Sequence, residues 1–324
     1  MAVSFEEEEG DRKTDMQVWL GMVESLCKGF GWAADELPIE MIQTHISIIL
    51  LGKRQALKLK KPVDFGFLDY TTLAKRHRAC EAEINLNRRL CPNTYLAVQP
   101  IVEVNGQPQL ANAGHIIDYG VLMKRLPGER MLDQMLLKNE VSESLMARVA
   151  ERLSAFHREA RRGSEVDFYG GAAVIRRNWE ENFTQTIPYV ERTVATAEFD
   201  LIRNRVADWL EDFDRLFNKR VREGRICDGH GDLRSESICI TNGICIFDCI
   251  EFNDRFRCAD VASEVAFLAM DLDARGRPDL GYYSFQENDI SKTRAQAAQA
   301  SSSGRLHNDK IACGACANLL SACS

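Results

Sequence analysis

The residues of this chain best suited to chemistry are two aspartates separated by a predicted hairpin. Asp228-Gly229-His230-Gly231-Asp232-Leu233-Arg234 reads as a short loop bearing an acid. It leads into Ile238-Cys239-Ile240-Thr241-Asn242-Gly243-Ile244-Cys245-Ile246-Phe247-Asp248, two apolar, β-rich runs around Asn-Gly. Asn-Gly in that setting is the strongest short-range hairpin signal, because both central residues of the favoured turn take positive φ. A two-residue turn would bring the strand ends together and set Asp232 near Asp248. Phosphoryl transfer uses such a pair: one carboxylate receives or orients a substrate hydroxyl, and the other holds Mg²⁺ against nucleotide phosphates.

His230-Gly231-Asp232 with the downstream Asp248 resembles the aminoglycoside phosphotransferase family, small-molecule kinases built like protein kinases. Lys58-Leu59-Lys60-Lys61-Pro62-Val63, Phe67-Leu68-Asp69, Leu86-Asn87-Arg88-Arg89-Leu90 and Cys249-Ile250-Glu251-Phe252-Asn253 look like a bacterial branch known mainly by its kinase-like fold. The likeness runs from about Ile39 to about Tyr283. It implies an α+β, bilobal protein-kinase-like fold, with a small antiparallel-sheet N-lobe and a larger helical C-lobe. It also implies ATP and Mg²⁺ as cofactors and a small-molecule hydroxylated acceptor.

On that resemblance Asp232 orients the acceptor hydroxyl and Asp248 holds the metal. Arg234 stands where kinases often carry a phosphate-neutralising lysine, and its fork suits phosphate oxygens. His230 orients the loop. The family usually places Asn five residues after the acid as a further metal ligand, where this chain has Ser237. A hydroxyl is a weaker, shorter ligand, which Glu236 or Glu251 would supplement, since Mg²⁺ accepts carboxylates. The departure keeps open a catalytically impaired nucleotide-binding protein on the same fold. A metal-dependent hydrolase using His230, Asp232, Asp248 and Glu251 is a third reading, which leaves the lysine strand unexplained.

Other elements must position these groups. Met16 to Phe30 has helical spacing. Ile46–Leu51 and Gln55–Lys60 form a hairpin across Gly52-Lys53. Lys58 and Lys60, two apart, share one strand face. One of them reaches the nucleotide phosphates by resemblance, and Lys58 is the better match to the family's strand lysine. An edge strand blunted by lysines explains the same letters. Thr44 lies ahead of this hairpin, where the family has its nucleotide loop. A helix over Leu73–Leu90 carries Glu83, the carboxylate chosen to pair with the lysine, with Glu81 as runner-up.

Tyr95–Val104, Asn105-Gly106 and Ile116–Lys124 suggest strand, turn and strand. Val121 to Leu126, with Met123 and Arg125, looks like the hinge where adenine meets backbone groups. Ser142 caps a helix bearing Leu145, Val149, Leu153 and Phe156 on one face, with His157 a hydrogen-bonded packing residue. Phe199 to Arg222 reads as one amphipathic helix stopped by Gly224. Asp260 caps or braces the start of another.

The 324 residues carry 41 basic and 48 acidic side chains, a net charge of −7, so no general affinity for nucleic acid is expected. No apolar stretch reaches the roughly 18 residues that span a bilayer, and no signal peptide is visible. Eleven scattered cysteines suggest mostly free thiols and a cytoplasmic protein. Cys313-Gly314-Ala315-Cys316 has redox spacing but no second pair. The expected division is an acidic disordered tail over 1–15, an N-lobe over 16–125, a C-lobe over 126–283 and a low-complexity tail over 284–324. The last resembles no part of the family and is expected to come from a truncated or shifted reading frame. Acceptor and oligomeric state are not legible.

Overall fold

The computed structural model describes residues 4–281, with side chains from residue 16 onward. The chain forms two compact units: one reaches Pro127 and includes Glu251–Asn253, and the other runs from Gly128 to Ile250 and resumes at Asp254. The sequence placed this division after residue 125 and did not anticipate the short return. An antiparallel sheet dominates the first unit and helices the second, the α+β class expected. The 284–324 tail, with its Cys313 and Cys316, lies outside the described residues.

The first unit opens with α1 (Ser4–Cys27), whose backbone takes in the acidic stretch expected to be a disordered tail. It continues through β1 (Glu40–Gln43), β2 (Ser47–Leu51), β3 (Gln55–Lys60), α2 (Leu73–Asn87), β4 (Tyr95–Val104), β5 (Gln107–Leu110) and β6 (His115–Lys124). The sheet order is β1-β2-β3-β6-β4-β5, antiparallel throughout. The lysine strand β3 is therefore central, which removes the edge-strand explanation. Its alternation sends Leu57 and Leu59 into a core with Trp19, Val23 and Leu26 of α1. Lys58 and Lys60 point from the opposite face, where Glu83 of α2 meets them. Buried Asp118 of β6 ties the helices to the sheet, accepting from Trp19 Nε1 at 2.6 Å and Arg76 Nε at 2.8 Å.

Asn105 and Gly106 join β4 to β5 with φ of 52° and 74° between the paired Val104 and Gln107. That is the two-residue turn anticipated for Asn-Gly. The second Asn-Gly behaves otherwise. Its strands β8 (Ile238–Ile240) and β9 (Ile244–Ile246) pair Ile240 with Ile244, so Thr241–Gly243 make a three-residue turn closed by a 2.9 Å Thr241 N–H bond to the Gly243 carbonyl. Neither Asn242 nor Gly243 has positive φ. The expected strands form, but turn and register are both corrected: a two-residue turn would pair Thr241 with Ile244, whereas Ile240 takes that place, and the extra loop residue relieves the demand for left-handed backbone.

The remaining elements of the second unit are α3 (Leu132–Leu137), α4 (Glu143–Glu159), α5 (Ser164–Asp167), α6 (Ala172–Thr186), α7 (Thr196–Asp212), α8 (Asp214–Arg222), β7 (Ile226–Asp228), α9 (Asp254–Arg257), β10 (Cys258–Asp260) and α10 (Val261–Ala274). Strand β7 pairs antiparallel with β10. Ser142 caps α4 by accepting the Leu145 amide, and Asp260 caps α10 by accepting that of Ala262, as the sequence indicated. The single helix expected over Phe199–Arg222 is two, broken at Phe213 (φ −107°, ψ 8°). Trp209 stays packed against Phe213 and Phe217 across the break, at ring separations of 5.4 and 5.1 Å, so apolar spacing alone does not reveal it. Cys27, Cys80, Cys227, Cys239, Cys249 and Cys258 are free thiols. Among the described residues no helix is long and apolar enough to cross a membrane.

Candidate functional site

The acid-bearing loop leaves β7 and turns at Gly231. Its φ is 89°, and a Cβ there would lie 2.9 Å from the Phe256 carbonyl oxygen, so a side chain is excluded on both counts. Beneath the loop sits the buried carboxylate of Glu264, in the first turn of α10. Its Oε1 accepts the amides of His230 and Gly231, and its Oε2 lies 2.6 Å from His157 Nε2. Burial pushes this carboxyl up, but the His157 hydrogen bond and the nearby loop donors outweigh it and hold Glu264 below the usual carboxylate range. His157 is thus the hydrogen-bonded packing residue expected.

His230 is fully buried and links the two acidic segments. Its Nε2 lies 2.8 Å from the Phe247 carbonyl, and its Nδ1 accepts the Asp232 amide at 3.3 Å. A carbonyl can only accept, so the ring proton resides on Nε2. The His230 carbonyl in turn accepts the Ile250 amide at 3.0 Å. Asp248 therefore lies between two residues anchored to His230, and Asp232 follows His230 by two. The ladder of the hairpin continues one step beyond its strands, through the Phe247 amide and the Ser237 carbonyl at 2.9 Å. Asp248 comes next, exposed and with φ of 64°, a left-handed backbone that Asp tolerates better than most residues.

Arg234 holds Asp232 directly. Its Nη2 donates to Asp232 Oδ2 at 3.0 Å, its Nε lies 3.0 Å from Oδ1, and Nη2 is also 2.7 Å from Glu236 Oε1. One guanidinium thus bridges two carboxylates. The Ser237 hydroxyl donates to the Asp232 carbonyl at 3.3 Å and serves the loop rather than pointing free as a ligand. Ser235 is fixed by Asp271, which accepts both its amide, at 2.8 Å, and its hydroxyl.

The first unit holds a cluster of its own. Lys58 Nζ donates to Glu83 Oε1 at 2.9 Å, and Lys60 Nζ donates to Glu83 Oε2 and to Glu251 Oε1. Tyr70 donates its hydroxyl to the same Glu251 oxygen at 2.6 Å. The side chains of Lys60 and Glu83 are wholly buried, and those of Glu251 and Lys58 are 4% and 10% exposed. Burial alone would depress the Lys60 ammonium, but Glu251 and Glu83 together hold it well above its ordinary value. Burial likewise raises Glu251, and Lys60 and Lys58 override it, so its carboxyl ends below the usual range.

Glu83, not Glu81, is thus the lysine partner, and it serves both lysines. Glu251, weighed as a metal ligand, is the counter-charge of Lys60. The Thr44 hydroxyl closes the β1–β2 turn, donating to the Ser47 carbonyl and accepting the Ser47 amide. Met123 lies near the end of β6, paired with Ala56 and Tyr95. Arg125 follows the strand, its guanidinium on the Gly52 carbonyl at 2.8 Å and on Glu40 at 3.2 Å.

Sequence reasoning missed Glu264 and Asp271. An acid in the first turn of a helix, as Glu264 is, reads as a solvated partner of the helix dipole. Its one distinguishing sign was its place within an otherwise apolar run.

No protein-family model matches the chain. In sequence it is similar to uncharacterised proteins of Mycobacterium tuberculosis and Mycobacterium bovis, 34% identical over 250 residues, which is 77% of this chain and 49% of each relative. The chain thus spans about half the length of the curated relatives it matches. Among solved structures it is similar to an aminoglycoside phosphotransferase from Streptomyces rimosus, with 13% identity, 85% of this chain and 92% of that one covered, and a TM-score of 0.45. A second structure of that enzyme is a complex with ADP and streptomycin, at 13% identity, the same 85% and 92% coverage and a TM-score of 0.44. A choline/ethanolamine kinase family protein from Mesorhizobium loti gives 10%, 89%, 90% and 0.41 in the same terms.

Proposed function

We propose that the chain is an ATP- and Mg²⁺-dependent phosphotransferase that moves a γ-phosphoryl group to a hydroxyl of a small molecule. The observation that carries this reading is that one histidine, His230, binds the Asp232 amide and, through Phe247 and Ile250, the backbone on either side of Asp248. In a loose transition state, positioning matters more than basicity, and a rigid loop bearing two acids suits that demand.

Asp232 orients the acceptor hydroxyl and takes its proton. Arg234, now shared between Asp232 and Glu236, supplies a fork suited to phosphate oxygens. Lys58 is the phosphate lysine, with Glu83 as its partner.

Mg²⁺ typically uses one or two protein carboxylates, with phosphates and water completing its shell. Exposed Asp248 fits that pattern. Glu236, Ser237 and Glu251 are engaged respectively by Arg234, the Asp232 carbonyl and Lys60, and would have to leave those partners to serve as further ligands. When bound, the ion would neutralise charge on the phosphates. ATP's adenine is assigned to the backbone around Met123 and Arg125, and Thr44 to the phosphate side, by resemblance alone.

Thermal unfolding with Mg·ATP tests the nucleotide site. Ligand at about a hundred times its Kd adds roughly 2.7 kcal/mol, a shift of several degrees. The shift should vanish in Asp248→Ala. Transfer of label from ATP to a panel of hydroxylated acceptors should occur in the wild type and be lost in Asp232→Asn, which keeps the shift. A folded wild type with no shift would sink the reading.

One observation favours a second reading, a nucleotide-binding protein with impaired catalysis. The Ser237 hydroxyl is spent on the Asp232 carbonyl where the family has a metal-binding amide. A full Mg·ATP shift without transfer to any acceptor would select it. The hydrolase reading loses ground: both His230 nitrogens and the Glu251 carboxylate are engaged elsewhere, and no group of three or more potential ligands clusters among the described residues.

A further inference from the structure

Two lysines on one strand share a single buried glutamate. Lys58 takes Oε1 of Glu83 and Lys60 takes Oε2, and Lys60 also reaches Glu251, whose Oε1 receives the Tyr70 hydroxyl. Two ammonium groups and two carboxylates make the cluster neutral as a whole. Its members differ in access: Lys60 and Glu83 are sealed, while Lys58 retains 10% of its side-chain surface.

A single buried Lys–Glu pair faces a difficulty as a ligand site. If the lysine turns to a phosphate, its glutamate is left as an uncompensated buried charge, which costs several kcal/mol. Here Glu83 has a second cation. Lys60 is itself held by Glu251, and its ammonium lies 5.4 Å from the centroid of the Tyr70 ring. Lys60 therefore keeps Glu83 compensated whatever Lys58 does.

We propose that Lys60 is a positioning residue that lets Lys58 exchange Glu83 for a phosphate-bearing ligand without stranding a buried carboxylate. Glu251 and Tyr70 fix Lys60 in that role. The ligand class rests on the phosphotransferase reading, but the exchange itself is a property of the unliganded cluster.

The test separates the two. Amine labelling with an acylating reagent, read by peptide mapping on the full chain, reports how often each lysine leaves its partner. Wild-type Lys58 should label at a measurable rate and Lys60 at least a hundredfold more slowly. Lys60→Met alone leaves two carboxylates with one cation and risks unfolding. Lys60→Met with Glu251→Gln removes one charge of each sign and preserves the balance. In that double variant, matched to the wild type by melting temperature, Lys58 labelling should fall about tenfold, because Lys58 is then the sole cation for Glu83. Lys60→Arg should restore the wild-type rate, which a packing role alone would not require.

Unchanged Lys58 labelling in the balanced double variant would overturn the proposal, as would labelling of Lys60 as fast as Lys58. These outcomes need no nucleotide. Mg·ATP titrated by calorimetry then bears on the ligand class: affinity should fall with the labelling rate across the same variants. If the wild type binds no ATP while labelling follows the pattern above, the phosphotransferase reading fails and the exchange stands.

Discussion

Glu83 and Glu264 are both buried carboxylates beneath candidate functional groups, and they are stabilised in opposite ways. Glu83, in the first unit, is neutralised by two ammonium groups on flexible stems. Glu264, in the second, is surrounded by two backbone amides and a histidine ring. The first arrangement is built from full charges that can exchange partners. The second is built from dipoles fixed to the backbone, which cannot. A lysine that must reach for a ligand needs the former, and a loop that must hold an acid still needs the latter.

The comparison breaks most easily at the charges. Glu83→Gln would leave two buried cations facing one carboxylate, and loss of a buried partner costs about 3–5 kcal/mol. Chemical denaturation followed through Trp19 and Trp32 should register that loss in the first unit. Glu264→Gln keeps an oxygen acceptor for the same amides and should cost only about 1–2 kcal/mol, the difference between charged and neutral hydrogen bonds. Trp179 and Trp209 report on that unit. A larger loss from Glu264→Gln than from Glu83→Gln would reverse the distinction between exchangeable charges and fixed dipoles.

Acid sharpens it further. Glu251 and Glu264 both sit below the ordinary carboxylate range, burial opposing the shift in each while Lys60 and Lys58, or His157 and the loop donors, carry it. A carboxylate with a depressed folded value contributes stability that is complete above its unfolded value, about 4.3, and lost as pH falls through the folded value. Both units should therefore weaken below roughly pH 4.3. Glu264→Gln should flatten that acid limb for the Trp179 and Trp209 signals alone. A shift of the Trp19 and Trp32 signals with them would mean that the units do not respond separately.

The smallest effect concerns the two Asn-Gly turns. Gly106→Ala should cost about 1 kcal/mol, because its φ of 74° penalises a Cβ even with open space around it. Gly243→Ala, without positive φ and equally open, should be close to neutral by the same denaturation measurement.

Much of the frame was legible. The β2–β3 hairpin and the helix caps at Ser142 and Asp260 follow from alternation and capping, both of them local signals, whereas Glu83 as the lysine partner was an expectation from the family resemblance. The site was legible in its types more than in its partners. Glu251 read as a metal ligand because it follows Asp248 by three residues, yet it neutralises Lys60. Glu264 went unremarked in the sequence and proved to be the seat of the loop. Asn242-Gly243 announced a hairpin correctly but not its turn length or register, because a three-residue loop shifts the pairing by one, setting Ile240 rather than Thr241 opposite Ile244.

Residue order alone determined which strand carries the lysines, that both share one face, and that an acid follows His230 by two and another ends the hairpin. These depend on periods of two and on neighbours a few bonds apart. Only the tertiary structure decided which carboxylate compensates which cation. Lys60 meets Glu83 across 23 positions and Glu251 across 191, and Glu264 meets the amide of His230 across 34. Burial makes an unpaired charge too costly to keep, so packing selects these partners, and no local spacing encodes them.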